Sequence, residues 1–315
     1  MKKILIGLLF LLIAGMIYIS NFDNKIPFLY PVTVDALVEI GEGIEEKGIS
    51  IIGRSAEGNP DRFKEINDFG IATKSPIIVT VGVEVTNDIF SERYNRNRPY
   101  IIASAISIPQ QLIFPKDTNI TIISDISKNP KLTTESLLLE ATEQLKLNSS
   151  HIGILTNKGE DNSIGTAKIF EKAYTSIGSK ISYGYITEGT DIAPVVESLL
   201  SKGVTILAIP HDKILVNNAS IIVNLGLNYR RKIPVVSLDD GSVKKHGVLF
   251  SISTDYKELG NIVAEEIKKI NSNKKKSGIN LIHPSNIYIT INPKTVKKLQ
   301  LSLNKHYLEN DYIRF

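Results

Sequence analysis

The chain contains no cysteine among its 315 residues. This absence excludes a disulfide scaffold, a metal site built on thiolates and a cysteine nucleophile. It also excludes the lipid-carrying cysteine that holds bacterial lipoproteins at a membrane. Any membrane attachment must therefore use a hydrophobic segment of the chain itself.

The sequence also lacks the common motifs of phosphate, metal and acyl-transfer chemistry. It has no Walker loop, no HExxH pair, no GxSxG elbow and no histidines at metal-ligand spacing. The nearest approach to a dinucleotide fingerprint is Gly41-Glu42-Gly43, which lies inside a helix-like run without a third glycine at the required spacing. We therefore predict a non-enzymatic protein with no catalytic residue, no metal and no cofactor.

The chain also has only a small excess of charge of one sign. The net charge is +4, and part of it comes from Lys2 and Lys3. A charge this weak and scattered is not the footprint of a nucleic-acid-binding protein, so we predict no nucleic-acid partner. The length and the 42% hydrophobic content are typical of a globular chain with about two domains.

An uncharged segment, residues 4–22, follows the two lysines. A basic head followed by an apolar core is the layout of a secretory signal. Cleavage after Ser20 would place the bulky Tyr18 where a small residue is preferred, so cleavage and retention both remain open. If it is retained, the segment falls just short of the roughly 20 apolar residues that span a bilayer, and it would provide the membrane contact. We predict that residues 1–22 are a signal peptide or an N-terminal membrane anchor. The rest of the chain is then exported, either periplasmic or anchored to the inner membrane facing the periplasm.

The remainder alternates short apolar runs with longer amphipathic ones. The apolar runs are rich in β-branched residues, as in strands buried on both faces of a parallel sheet. The predicted strands are 77–81, 100–103, 120–123, 152–155, 204–209, 234–236 and 286–291, and the predicted helices are 34–46, 134–145, 163–177, 191–201 and 256–270. This order predicts an α/β architecture of parallel sheets flanked by helices.

Three polar breaks interrupt the alternation, at residues 124–131, 239–242 and 271–278. They indicate that the chain crosses between two lobes more than once, which is how a multi-strand hinge is built. The predicted boundaries are 25–123 plus 241–273 for lobe 1 and 124–240 plus 274–315 for lobe 2.

Polar residues stand where these strands end, and ligands of open α/β sheets bind at the carboxyl ends of strands. Several of them precede helices, whose free N–H groups favour an anion such as a carboxylate. Asp239 and Asp240 are suited to an ammonium group, and an amino acid carries both charges. The predicted ligand-binding residues are Gly82, Glu84, Ser104, Ser107, Asn157, Asn162, Ser163, His211, Asp239 and Asp240. Taken singly, each has a second interpretation as a helix cap or a turn former.

Several segments resemble one known family, in order and spacing. Ser242–Val248 and Thr254–Gly260 are similar to the family's SVKRGAL and DYYDLG. Leu155–Ser163 is similar to its LYNPGEANS loop, and Pro99–Pro109 to its PIVFSAVTDP. Asn119–Thr121 stands where the family has GNVTG. The chain thus resembles bacterial ABC-transporter substrate-binding proteins of the type that includes tryptophan/tyrosine binders.

The resemblance begins near Pro31 and reaches the C-terminal region. It implies a two-lobed type I periplasmic-binding-protein-like fold that closes on a small-molecule ligand, with ABC permease and ATPase subunits as partners. Two loops depart from the family: 82–86 replaces GTPAA, and Ile108 replaces the aspartate of TDP. The aromatic amino acid therefore does not carry over directly.

Two alternatives remain open. A membrane-anchored sensing module would keep the fold and signal instead of transporting. A hydrolase would use His211 with its acidic neighbour Asp212, although no nucleophile motif accompanies them.

Overall fold

The computed structural model describes residues 25–91, 99–107, 109–115, 118–126, 132–187, 189–272, 278–303 and 305–315. The predicted signal or anchor at residues 1–22 lies outside these ranges, as does Ile108. Within them, no helix is long and apolar enough to cross a membrane.

The described chain is an alternation of strands and helices, as predicted. The strands are β1 Ile26–Tyr30, β2 Ile51–Ser55, β3 Ile77–Val81, β4 Tyr100–Ser104, β5 Ile120–Ile123, β6 His151–Asn157, β7 Lys180–Ile186, β8 Ile206–Ile209, β9 Val235–Ser237, β10 Phe250–Ser253, β11 Ile279–Ile282, β12 Tyr288–Ile291 and β13 Ile313–Arg314. The helices are α1 Asp35–Glu46, α2 Phe63–Ala72, α3 Val83–Ser91, α4 Thr134–Gln144, α5 Asp161–Thr175, α6 Ile192–Ser201, α7 Lys213–Asn217, α8 Ala219–Asn228, α9 Asp240–His246, α10 Tyr256–Asn271, α11 Pro293–Lys298 and α12 Lys305–Leu308.

These elements form two compact units. Unit 1 holds the chain up to Ile106, then Leu112–Ile123 and Tyr256–Ile282, and unit 2 holds Ser107–Gln111, Ser124–Asp255 and His283–Phe315. The chain passes between the units after Ile106, Gln111, Ile123, Asp255 and Ile282. The lobe boundaries expected from the sequence, after 123, 240 and 273, stay a prediction. Strand β10 pairs with β9 and β12 in unit 2, and β11 pairs with β5 in unit 1, so sheet pairing sets the last two passages.

Unit 1 is built on a six-stranded sheet in the order β11-β5-β4-β3-β1-β2, and its strand pairs are parallel. Side chains of a strand alternate between the two faces. In β3, Ile77 and Val79 therefore pack under α1 and α10, while Ile78 packs under α2 and α3. Burial on both faces explains the continuous apolar sequence of this strand.

Two glycines let helices α1 and α10 touch at their backbones. A β-carbon at Gly260 would collide with the carbonyl oxygen of Ile40, and one at Gly43 with that of Lys257. The Gly41-Glu42-Gly43 sequence thus belongs to helix packing.

Unit 2 is built on a seven-stranded sheet in the order β13-β12-β10-β9-β8-β6-β7. Strand β12 is antiparallel to β10, and the other pairs are parallel. Helices α4 and α5 cover one face, with Phe170 and Tyr174 fully buried against Ile154. Helices α6 and α8 cover the other face, through Val196 and Ile222.

Candidate functional site

In unit 1 the predicted residues Gly82, Glu84 and Ser104 gather where β3 and β4 end. The N–H of Gly82 donates to the carbonyl oxygen of Ser104 at 3.0 Å. Gly82 has a φ of +82°, which favours glycine and lets the chain turn directly into α3. Glu84 lies in the first turn of α3, where the helix dipole stabilises an acid. Ser104 is fully buried, and its Oγ has no hydrogen-bond partner among the described residues.

In unit 2, three side chains that are far apart in sequence meet at the strand ends. Ser107 Oγ donates to Asp125 Oδ2 at 3.0 Å and lies 3.1 Å from His211 Nδ1. His211 Nδ1 is also 3.6 Å from Asp125 Oδ2. The Asp125 side chain is 4% exposed, and its Oδ1 has no hydrogen-bond partner among the described residues. The cluster therefore contains a buried carboxylate oxygen that lacks a donor.

One proton on the His211 ring follows from its contacts. Nε2 lies 2.6 Å from the carbonyl oxygen of Leu238, which can only accept, so Nε2 carries a proton. Ser107 Oγ lies between His211 Nδ1 and Asp125 Oδ2 and so joins the ring to the carboxylate.

The neighbour Asp212 takes no part in this cluster. Its Oδ1 accepts from the N–H of Leu215 at 2.8 Å and caps helix α7. The carboxylate paired with His211 is Asp125, and the Ser107 hydroxyl donates to that carboxylate. The proposed His211–Asp212 dyad is therefore not present.

Asp239 is a buried carboxylate at the end of β9. Its Oδ2 accepts from both the N–H and the hydroxyl of Ser242, each at 2.7 Å, and this caps helix α9. Burial raises the pKa of Asp239 above the usual range, and the two Ser242 bonds oppose this only in part. Asp240 also raises that pKa, and His211 lowers it.

Asp240 has a partner within its own helix. Its Oδ2 lies 2.7 Å from Lys244 Nζ, one turn further along α9. Its predicted role as a charge partner for a ligand therefore competes with this ion pair.

The predicted residues Asn157, Asn162 and Ser163 lie where β6 leads into α5. Ser163 is fully buried, and its Oγ accepts from the N–H of Asn157 at 3.0 Å. Asn157 Oδ1 accepts from the N–H of Gly159 at 2.9 Å, which shapes the turn. The sequence predicts that the Ser163 hydroxyl completes an anion site. The structure uses that hydroxyl to join helix and strand.

The start of α5 nevertheless keeps features of an anion site. Glu160 stands at the N-cap and makes no capping hydrogen bond with its side chain. Asn162 Oδ1 is buried without a hydrogen-bond partner in the described part of the chain, and as an acceptor it requires a donor, not an anion. The N–H groups of the first turn form the positive end of a 15-residue helix, and the carboxylate of Asp161 lies in the same turn.

Two residues of the candidate site were missed from the sequence. Asp125 was assigned to the break at 124–131, although it follows β5 closely. Thr166 lies inside α5, and its Oγ1 accepts from the N–H of His211 at 3.1 Å, so it holds the histidine loop. The position of Asp125 after a strand was an available signal. Nothing in the sequence marks Thr166.

The site holds no cluster suited to a metal. Among the described residues, no group of three or more histidines and carboxylates is placed to hold an ion.

The family model for ABC transporter substrate binding proteins matches residues 32–311, so the chain belongs to that family. This confirms the resemblance seen in the sequence. No curated protein matches the chain by sequence.

Solved structures share the fold at low identity. An ABC domain in complex with L-Trp from Streptococcus pneumoniae is 19% identical with a TM-score of 0.77, covering 92% of this chain and 100% of its own. A conserved domain protein from Vibrio cholerae is 17% identical with a TM-score of 0.76, covering 92% and 99%. A ligand-free, open substrate-binding protein with adhesive properties from Clostridium difficile is 20% identical with a TM-score of 0.66, covering 92% and 98%. The fold is thus of the type I periplasmic-binding-protein-like kind, as predicted.

Proposed function

We propose that this chain is the solute-binding component of an ABC-type importer, serving permease and ATPase subunits. It takes a small ligand of the amino-acid type at the carboxyl ends of its strands and does not transform it. The interlobe cleft predicted from the sequence belongs to this proposal. Family membership supports binding of a small molecule.

The observation that carries the proposal is the cluster of Ser107, Asp125 and His211, beside which Asp239 follows Leu238, whose carbonyl oxygen contacts His211. Asp125 Oδ1 is buried without a donor, and burial disfavours the charged form of Asp239. Buried polar atoms are nearly always hydrogen-bonded in folded proteins. An ammonium group of a ligand would donate to Asp125 Oδ1. Its positive charge would also stabilise the ionised form of Asp239.

The start of α5 supports the other half of an amino-acid ligand. Its first-turn N–H groups are free of a side-chain cap from Glu160. A carboxylate at such a helix terminus is held by N–H groups and by the dipole. The L-Trp bound to the related Streptococcus pneumoniae domain carries both an ammonium and a carboxylate.

A thermal-shift screen of the full chain against amino acids, nucleosides and sugars tests this function. A true ligand at 100 times its dissociation constant should stabilise the protein by about 2.7 kcal/mol and be recovered unchanged. Recovery of a converted product would contradict the proposal, as would a screen in which only ligands without an amino group bind.

Replacing Asp239→Asn then tests the charge. Asparagine keeps the cap and removes the charge, so affinity for the ligand should fall at least tenfold, about 1.4 kcal/mol. Asp191→Asn is the matched control, because Asp191 Oδ2 likewise accepts from an N–H and a hydroxyl, both of Thr187. Equal affinity in the Asp239 variant would remove the cation-binding role.

A further inference from the structure

A cavity of unit 2 lies beside its edge strand β7. It has a volume of about 500 Å³, and we call it the tyrosine pocket; its lining includes Lys158, Ile164, Ala167, Lys168, Tyr183 and Tyr185. Tyr183 and Tyr185 are two positions apart on β7 and so share one face of the sheet. That face is the one covered by α5, because Tyr183 Oη donates to Glu171 Oε2 at 3.0 Å. None of the ten predicted ligand residues lines this pocket.

The two tyrosine rings are stacked. Their centroids are 5.8 Å apart, and their planes differ by 6°. Tyr185 remains 50% exposed, although aromatic side chains contribute most when they are buried. The pocket therefore leaves an ordered aromatic surface in contact with water.

The charges at the pocket are positive. Lys158 Nζ lies 3.9 Å from the centroid of the Tyr185 ring, and Lys168 lines the side formed by α5. No carboxylate is among the lining residues that the structure describes. The nearby carboxylate of Glu171 already accepts the Tyr183 phenol. Burial, together with that bond, raises the pKa of Tyr183, so the phenol keeps its proton.

We propose that the tyrosine pocket is a second binding site, for a flat apolar molecule that carries an anionic group. The rings, with Ile164 and Ala167, receive the apolar body, and the two lysines receive the anion. Small-molecule sites have volumes of about 300–1,000 Å³ and apolar linings with a few polar groups, and this pocket has both properties. The pocket adjoins the start of α5, because its lining residue Thr156 lies 3.2 Å from Ser163 between hydroxyl oxygens, but the proposal uses none of the groups assigned to the solute.

A simpler role must be distinguished from binding. Strand β7 is the edge of its sheet, and edge strands are commonly shielded by lysines and bulky side chains against pairing with other chains. A shield of this kind has no affinity for a small anion. Ligand binding therefore separates the two roles.

The test is a titration of the full chain, labelled with ¹³C in its tyrosine rings, with 2-naphthoate. The signals of Tyr183 and Tyr185, assigned from Tyr→Phe variants, should shift with saturation. The cation 2-naphthylmethylammonium should shift them at least tenfold more weakly. Shifts confined to other tyrosines, or equal affinity for anion and cation, would overturn the proposal.

Variants then locate the site. Tyr185→Ala should weaken naphthoate binding about threefold to tenfold, while Tyr185→Phe keeps the stack and the affinity. Lys158→Gln and Lys168→Gln should each weaken it by up to about fivefold. Lys172→Gln is the matched control, since Lys172 lies one turn beyond Lys168 and pairs with Glu135 at 2.9 Å. If Asp239→Asn abolishes the shifts, the probe occupies the proposed solute site and the tyrosine pocket has no role.

Discussion

The buried carboxylate of Asp239 caps a helix, and we propose that it also binds the ligand. Its oxygen caps α9 by accepting a hydrogen bond from Ser242. Burial disfavours the charged form of its carboxyl group. The pKa in the folded protein is raised above that of the unfolded chain. The stability that this group contributes is therefore fully present below the unfolded pKa and is lost as pH rises through the folded pKa.

Asp239→Asn should consequently stabilise the ligand-free protein at pH 7, because asparagine caps a helix as well as aspartate does. The gain over the wild type should shrink as pH falls through the raised pKa of Asp239 and level off below about 4, where the carboxyl is protonated in both the folded and the unfolded chain. Asp239→Ala should be about 1 kcal/mol less stable than Asp239→Asn, since it also loses the cap. Urea unfolding at several pH values measures these differences, and a pH-independent gap would contradict the assignment.

Only part of the site is predictable from the sequence. Positions directly after apolar runs identified His211 and Asp239, since strand ends gather at one edge of a sheet. The pairing of Asp125 with His211 depends on the order of strands in the sheet, which periodicity does not encode. The contact of Ser163 with its own strand was likewise not predictable from the sequence. A serine in a first helical turn can contact either a ligand or a strand.

At the scale of elements, the contact between α1 and α10 gives the sharpest expectation. Gly260→Ala should destabilise the protein by about 1–3 kcal/mol, because the new methyl group meets backbone that cannot move aside. The control is Gly41→Ala in α1, where the nearest atom is the terminal methyl of Ile51. Urea midpoints measure both changes. Equal midpoints for the two variants would show that the backbones of α1 and α10 can move apart to accommodate the methyl group.

The elements found from the sequence are those with the strongest physical pattern. Strand β3 and helix α10 were predicted nearly to their ends, since one is buried on both faces and the other has a clear apolar stripe. Strand β1 was missed because Pro27 interrupts it. Strands β2 and β7 were missed because they are edges, whose partial exposure dilutes the apolar run.

At the scale of the whole molecule, export remains a prediction. Residues 1–25 fused to alkaline phosphatase should give activity, because the enzyme matures only outside the cytoplasm. Replacing Leu9→Lys and Leu12→Lys should abolish the activity, as each charge in an apolar segment costs about 3 kcal/mol on insertion. Cytoplasmic retention of the unmodified fusion would contradict the predicted location.

The division of unit 1 among distant parts of the chain has a consequence for when it can fold. Its core joins Ile40 and Val79 to Val263 and Ile267, which are synthesised much later. Until α10 has emerged, α1 alone covers this face of the first sheet, and the apolar residues of β3 remain partly exposed. A ribosome must therefore complete most of the chain before this core can close. Late closure would suit the predicted export, in which the chain threads through a translocation channel in an extended state.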